Sequence, residues 1–446
     1  MTASIIDSKL FSPLFHSDAM RAIFDDHARV KSYIEVEAGL ARAQARAGMI
    51  PEYAAQKINE AAKNISMDME RLSNDTGNVG YPILGLVRQL AEAAGSDAGG
   101  YVHWGATTQD IMDTGTVLQV RAGLDLIEKD MERVIRALET LARTHRNTVM
   151  AGRTHLQHAL PVTFGYKASV WLDAVRRSAQ RIREARPRVL MAQLGGAAGT
   201  LASMGPGAEK ITELLAEELS LRAPLIPWHA TRDTLAETGC ALAILTGSLS
   251  KVAFDIMIMS MTELAEVAEP FVKDRGASST MPQKRNPISC EVIRGCHKGV
   301  SEAAHMLLGA QEADFERATG PWHAEWIALP QAFVLTHCAV SQAAFLLEGL
   351  IVDEHRMRDN LDITHGLIVA ESAMMSLAPY LGRQHAHDVV YEACRAAESE
   401  KTNLLNVLAR DERVLQFVTR EELENILSPE RYLGLAGHYV DRVLSS

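Results

Sequence analysis

Between Gly276 and Glu291 the chain reads GASSTMPQKRNPISCE. Two hydroxyls, Ser278 and Ser279, are followed by Met281, the cations Lys284 and Arg285, the amide of Asn286 and the carboxylate of Glu291. Pro282 and Pro287 oppose a helix through this stretch, and Gly276 and Ala277 leave the backbone room to move. The segment therefore offers hydroxyls, positive charge and amide donors to a bound anion. Composition alone also allows a solvated connector. Three further polar segments break the sequence in the same way: GNVGYP (Gly77 to Pro82, with Asn78 and Tyr81), HWGATTQD (His103 to Asp110, with Thr107 and Thr108) and GRTHLQHALPVT (Gly152 to Thr163, with Arg153, His155, Gln157 and His158). Most are longer than the few residues that join helices in a bundle. Their hydroxyls, amides, histidines and glycines suit a binding site assembled from several pieces of chain. Each has a plainer reading too: GNVGYP as a turn, Thr107 and Thr108 as caps of the next helix, and an isolated histidine as a structural one.

The elements that must position these segments are helical. Alternating β-branched runs are nearly absent, while Ala, Leu, Glu, Arg and Met abound. After QDIMDTG, the residues Val117, Val120, Leu124, Ile127, Met131, Val134, Leu138 and Leu141 follow one another at steps of three and four, a seam of more than three heptads. Leu242, Leu245, Val252, Ile256 and Met259 mark a second long helix, and Trp326, Leu329, Phe333, Val340, Leu347 and Leu350 a third. A further helix is expected from Val162 to Arg186, stopped by Pro187. Helices this long indicate a bundle, and their seams predict self-association. Shorter helices flank them, so the expected division is 1–112, 113–355 (the long helices and the Gly276–Glu291 segment) and 356–446.

Composition narrows the function. The 446 residues carry a net charge of −11, which disfavours nucleic-acid binding but leaves a local cationic pocket free to take a small anion. The N-terminal MTASIIDSKLF lacks a basic segment followed by an apolar run. No stretch approaches the roughly 18 apolar residues of a membrane span, so no membrane partner is expected. The five cysteines are scattered and have no metal-ligand spacing, which fits a reduced cytoplasmic chain. Neither a glycine-rich phosphate loop nor a metal motif is present, so no cofactor and no metal are expected.

SSTMPQKRNP resembles the signature of the fumarase/aspartase superfamily, S-S-x-M-P-x-K-x-N, and matches it completely. HWGATTQDIMDT and GRTHLQHALPVTFG resemble the superfamily's first and second substrate loops. QLGGAAGT (Gln193 to Thr200), TRDTLAE (Thr231 to Glu237) and NLDITHGLIVAE (Asn360 to Glu371) fit its adenylosuccinate-lyase side. PWHAEW (Pro321 to Trp326) and GATTQDIMDTG are most similar to its 3-carboxy-cis,cis-muconate cycloisomerase branch. The resemblance spans essentially the whole chain. It implies an all-α fold of three helical domains. A central bundle of five long helices would form a tetrameric twenty-helix core, and each active site would be built from three subunits.

The implied reaction removes a proton from a carbon next to a carboxylate and expels a group from the neighbouring carbon. Fixed donors around the resulting aci-carboxylate would supply most of the rate, with a base and an acid doing the proton work. By resemblance, Ser278 is the base, a role that requires nearby cations or aimed backbone N–H groups. Lys284 and Asn286 would hold the carboxylate, and Thr107 and Thr108 would donate to a carboxylate from another subunit. Gln157, Arg153, Ser279, Met281, Asn78, Tyr81 and His323 complete the expected binding set for a small di- or tricarboxylate. His155 would pair with Glu291, which would fix its tautomer and raise its basicity; His158 and His103 are alternative acids. The cycloisomerase pattern usually has Trp at the position of His155 and no carboxylate at that of Glu291. This departure favours a lyase that releases fumarate from a succinyl- or aspartate-type substrate. Cycloisomerisation remains the alternative. A non-enzymatic relative would not need the intact Ser278, Lys284, Asn286, His155 and Glu291 set.

Overall fold

A computed structural model describes residues 6, 8–15, 17–317 and 319–446. Helices dominate. The five longest are Thr108–Thr144, Phe164–Val189, Asp233–Met259, Ile288–Gly309 and Pro321–Glu348. All eight residues of the Val117–Leu141 seam are buried, as are the five expected on the Asp233–Met259 helix. These seams are thus covered within a single chain, contrary to the expectation that they need partner subunits. What the long helices leave exposed is another set, including Val170, Met306, Leu308 and Ile327.

Other boundaries also differ from expectation. The helix expected to stop before Pro187 runs on to Val189 with Pro187 inside it. Proline forfeits one N–H and crowds the preceding turn, and in a last turn few bonds depend on it. GNVGYP is not a free loop: Gly77, Asn78 and Val79 end the Met69–Val79 helix, and Gly80 (φ 88°) caps it. Two helices, Asp233–Met259 and Pro321–Glu348, do reach membrane-spanning length and apolarity, which corrects the sequence expectation; 72% of the apolar window in the second is buried inside the chain.

The chain resolves into two compact units, each built from three separate stretches. The first comprises Met1–Met131, Ser178–Gly247 and Val292–Ser341; the second comprises Glu132–Arg177, Ser248–Glu291 and Gln342–Ser446. In the first, the Asp26–Arg46 helix buries Tyr33, Val36 and Leu40 with Leu86, Ile111, Met112, Leu215 and Trp322. In the second, a C-terminal core gathers Leu377, Val389, Leu404, Leu408 and Leu423.

The second unit also holds the clearest departure from an all-helical reading. GRTHLQHALPVT folds as an antiparallel hairpin, β1 (Val149–Thr154) and β2 (Gln157–Thr163). His155 and Leu156 form its two-residue turn, with φ of 52° and 63°, the signs a type I′ turn requires. A register shift falls at Gly152, where a Cβ would meet the Leu160 carbonyl oxygen at 2.7 Å. Glycine is the residue that fits there.

Candidate active site

In the second unit, the Gly276–Glu291 segment closes on itself at its neck. Ala277 bridges Arg285, and the Asn286 N–H donates to the Gly276 carbonyl at 3.0 Å. Gly276 has a φ of 73°, and a Cβ there would lie 2.5 Å from the Asn286 carbonyl oxygen. Within the loop so formed, the backbone N–H groups of Thr280 and Met281 donate to Ser278 Oγ at 3.3 and 3.1 Å. Two aimed amides are the kind of environment that stabilises an alkoxide. Ser279, Met281 and Lys284 are exposed, and Asn286 is half-buried.

A carboxylate outside the loop holds its far end. Glu269 accepts from the N–H groups of Ser289 (3.2 Å) and Cys290 (2.9 Å), the first turn of the Ile288–Gly309 helix. The Arg285 guanidinium donates to the Glu269 carbonyl at 3.4 Å and lies over the Phe271 ring. Glu291 follows on the same first turn and is exposed.

The hairpin presents Thr154, His155, Leu156 and Gln157 to solvent. Its base is fixed by Arg153, whose guanidinium donates to both oxygens of Glu266 at 2.9 and 2.6 Å. Glu266 is fully buried and also accepts from Asn360 Nδ2 at 2.9 Å. The Arg153 charge is therefore already matched within the chain. His158, beside it, is pushed below the usual imidazole range by burial and by the Arg153 charge. Among the described residues, His155 and Glu291 of one chain form no ion pair with each other.

The first unit carries Thr107, Thr108, Tyr81 and His323. Thr107 sits at the start of the Thr108–Thr144 helix, and its N–H donates to Asp110 Oδ2 at 2.9 Å. The same buried carboxylate accepts from the N–H groups of Gly195 (2.8 Å) and Gly196 (3.0 Å) and lies 2.7 Å from His229 Nε2. Asp110 therefore ties HWGATTQD to QLGGAAGT. The Thr107 hydroxyl accepts from Arg317 Nη1 at 2.6 Å and, among the described residues, from no helix N–H. Arg317 was missed in the sequence because it lies in no polar motif, 210 positions from its partner. His103 lies 2.6 Å from the buried Glu37. Burial lowers the His103 pKa, but the Glu37 charge and hydrogen bond more than offset it, leaving it above the ordinary value.

Tyr81 and His323 belong to an aromatic cluster with Trp322 and Trp326. The His323 and Trp326 rings are 4.3 Å apart, and Tyr81 lies 5.7 Å from Trp322 and 5.8 Å from His323. Asn78 is exposed and outside it. Beneath the cluster, Arg232 donates to Asp113 at 2.7 and 2.9 Å and to Glu325 at 2.8 and 2.5 Å, and Trp322 Nε1 donates to Asp113 at 3.1 Å. This triad joins the starts of three long helices, those beginning at Thr108, Asp233 and Pro321.

Comparison with known proteins accounts for these segments together. A family profile described as Lyase matches residues 15–301, and one described as Adenylosuccinate lyase C-terminus matches residues 366–443. Trans-aconitate decarboxylase 1 of Mycosarcoma maydis is 45% identical, aligning 97% of this chain with 88% of its own length. A 3-carboxy-cis,cis-muconate cycloisomerase of Bradyrhizobium diazoefficiens is 42% identical over 98% of both chains. A nitrosuccinate lyase of Streptomyces davaonensis is also 42% identical, over 99% of this chain and 95% of its own. The crystal structure of a fumarate lyase from Mesorhizobium sp. BNC1 superposes with a TM-score of 0.92 at 52% identity, covering 97% of this chain and 98% of that one.

Proposed function

Because the chain belongs to the fumarase/aspartase superfamily of lyases, we propose that it is a β-eliminating lyase that releases fumarate from a C2-substituted succinate. Ser278, as alkoxide, takes the proton from the carbon beside one carboxylate. The electron pair moves onto that carboxylate, held by Lys284 and Asn286, and then forms the carbon–carbon double bond as the C–N or C–O bond breaks. The leaving group departs with a proton from the acid side, which we assign to His155 oriented by Glu291. Thr107, Thr108 and Arg317 bind the other carboxylate; Gln157, Ser279 and Met281 line the site, and Tyr81 and His323 face the substituent. Arg153 positions the hairpin through Glu266. Neither cofactor nor metal enters these steps.

The observation that carries this reading is the Ser278 turn, in which two backbone N–H groups donate to the hydroxyl oxygen of the would-be base. Superfamily enzymes are typically oligomers acting on small carboxylates. The finer reading is a cytoplasmic homotetramer with the domains 1–112, 113–355 and 356–446 and with active sites shared among three subunits. Such sharing suits a His155 and a Glu291 that, among the described residues, form no ion pair within one chain. A second reading, cycloisomerisation of 3-carboxymuconate, is favoured by the 42% identity to that enzyme over nearly the whole chain.

A substrate panel separates them. Succinates bearing amino, substituted amino, nitro or hydroxyl groups at C2 are followed by fumarate absorbance, beside 3-carboxymuconate consumption and carbon dioxide release from trans-aconitate. Fumarate from at least one succinate, absent in Ser278→Ala, supports elimination. Lactone formation or decarboxylation without fumarate from any succinate overturns it.

A further inference from the structure

Lys167 has no part in the mechanism above. It lies in the first turn of the Phe164–Val189 helix and is largely buried, and among the described residues its ammonium has no hydrogen-bond or ion-pair partner. It lines a cavity of about 430 Å³ in the second unit. Arg153, Thr154, Lys251 and Asp255 supply the other polar wall; Val170 and Trp171 are part of the apolar one. None of the lining residues comes from the Gly276–Glu291 segment.

The charges around this cavity do not cancel. Arg153 is matched by Glu266, and Lys251 pairs with Asp255, which also accepts from Trp171 Nε1 at 3.0 Å. Among the described residues, Lys167 is left as the one cation of the group without an anion. A half-buried charge without a counter-ion is unfavourable, and a bound anion relieves that cost. In keeping with this, burial holds the Lys167 amine below the usual lysine range despite the nearby Asp255. The volume lies within the range of small-molecule sites, about 300–1,000 Å³. One unmatched positive charge calls for one negative charge, and the Trp171 and Val170 wall calls for an apolar body. A dianion such as phosphate would bring its second charge towards Asp255.

We propose that this cavity is a binding site for a small monocarboxylate, with the carboxylate on Lys167 Nζ and the apolar portion against Val170 and Trp171. The inference does not depend on the eliminase reading. The test uses butyrate as probe and the intact protein. Lysines are acylated with an N-hydroxysuccinimidyl ester and Lys167 is followed by peptide mass spectrometry, while butyrate binding is measured by calorimetry in wild type, Lys284→Met, Lys167→Met and Lys167→Gln. Butyrate is expected to slow Lys167 acylation several-fold, with inorganic phosphate having little effect. Binding should persist in Lys284→Met, which removes the cation that the proposed active site offers a carboxylate and so keeps the two sites apart, and should be lost in both Lys167 variants. The proposal is overturned if butyrate leaves Lys167 acylation unchanged, if phosphate protects equally, if Lys167 is never acylated, or if either Lys167 variant binds butyrate as wild type does.

Discussion

Replacing Arg232 by Met tests the triad that joins three helix starts. Arg232 is 1% exposed on its side chain, and its partners Asp113 and Glu325 are 3% and 4% exposed. Arg232→Met keeps much of the aliphatic bulk but removes four charge-assisted hydrogen bonds, leaving two carboxylates buried together. Breaking a buried pair by removing one partner costs about 3–5 kcal/mol, well above the ~0–1 kcal/mol of a surface pair. The two acids will not share the loss evenly. Asp113 keeps Trp322 Nε1 at 3.1 Å and Gln109 Nε2 at 3.2 Å, whereas Glu325 relies on Arg232. Glu325 already lies above the usual carboxylate range because burial outweighs the pull of Arg232, so without Arg232 it takes up the proton. A raised carboxylate favours the folded state fully below its unfolded pKa, about 4.3, and loses that contribution as pH rises through the folded value. The deficit of the variant therefore grows as the pH rises from about 4.3 towards the raised folded value, by up to ~1.4 kcal/mol per unit. Adding Glu325→Gln should recover part of it, since the two sites are coupled. The assay is urea unfolding at fixed subunit concentration across that pH range. A deficit below about 1 kcal/mol, or one that does not change with pH, would refute the argument.

Three further outcomes are expected. Ser278→Ala abolishes turnover while substrate affinity, read by calorimetry, stays near wild type, because the hydroxyl acts in the transition state; near-normal turnover removes Ser278 as the base. Gly276→Ala forces a Cβ to within 2.5 Å of the Asn286 carbonyl oxygen at a φ of 73°, a strain of about 1–3 kcal/mol; it should lower kcat/KM and speed proteolysis of the loop while leaving the melting temperature nearly unchanged, and wild-type kinetics would contradict it. His103, raised in the folded chain by Glu37, contributes stability that is full below about pH 6.5 and lost as pH rises through its folded value. His103→Gln should therefore be more destabilising in mildly acidic than in alkaline buffer, and an equal loss at both would count against the pair.

What could be read from the sequence was whatever has a period or a motif. The Val117–Leu141 seam announces its helix because burial and heptad spacing are one constraint seen twice. The SSTMPQKRNP loop announces itself through its prolines and residue types. The hairpin did not, because its turn is His155–Leu156 rather than the Asn-Gly that normally signals positive φ at both positions. Tertiary anchoring through Arg153 and Glu266 makes up for the poor local preference there. GNVGYP looked like a loop because its glycines are helix breakers, yet here the last turn of a helix absorbs Gly77 and Gly80 closes it. The polar pairs were beyond reach for a simpler reason: Asp110 and His229 are 119 positions apart, and Arg232 and Glu325 are 93. No pattern in a single sequence relates residues so distant.

Those distant carboxylates answer a problem the function creates. A site made of irregular segments leaves backbone N–H groups without the partners that helices and sheets supply, and burying them unpaired is costly. Asp110 accepts from three such groups, on Thr107, Gly195 and Gly196. Glu269 accepts from two, on Ser289 and Cys290. Glu266 takes the side chain that anchors the hairpin instead. In each case a carboxylate does what a strand or a helical turn would do elsewhere, and charge-assisted bonds make it the stronger acceptor. The acids also favour the N-terminal ends of the helices that begin at Thr108 and Ile288, where the macrodipole stabilises negative charge. It follows that the residues we propose for the chemistry, Thr107, His155 and Ser278, need not hold the fold together. That work falls to acids a few residues away or across a unit, which leaves Thr107 and Ser278 half-buried and His155 exposed, available to a substrate.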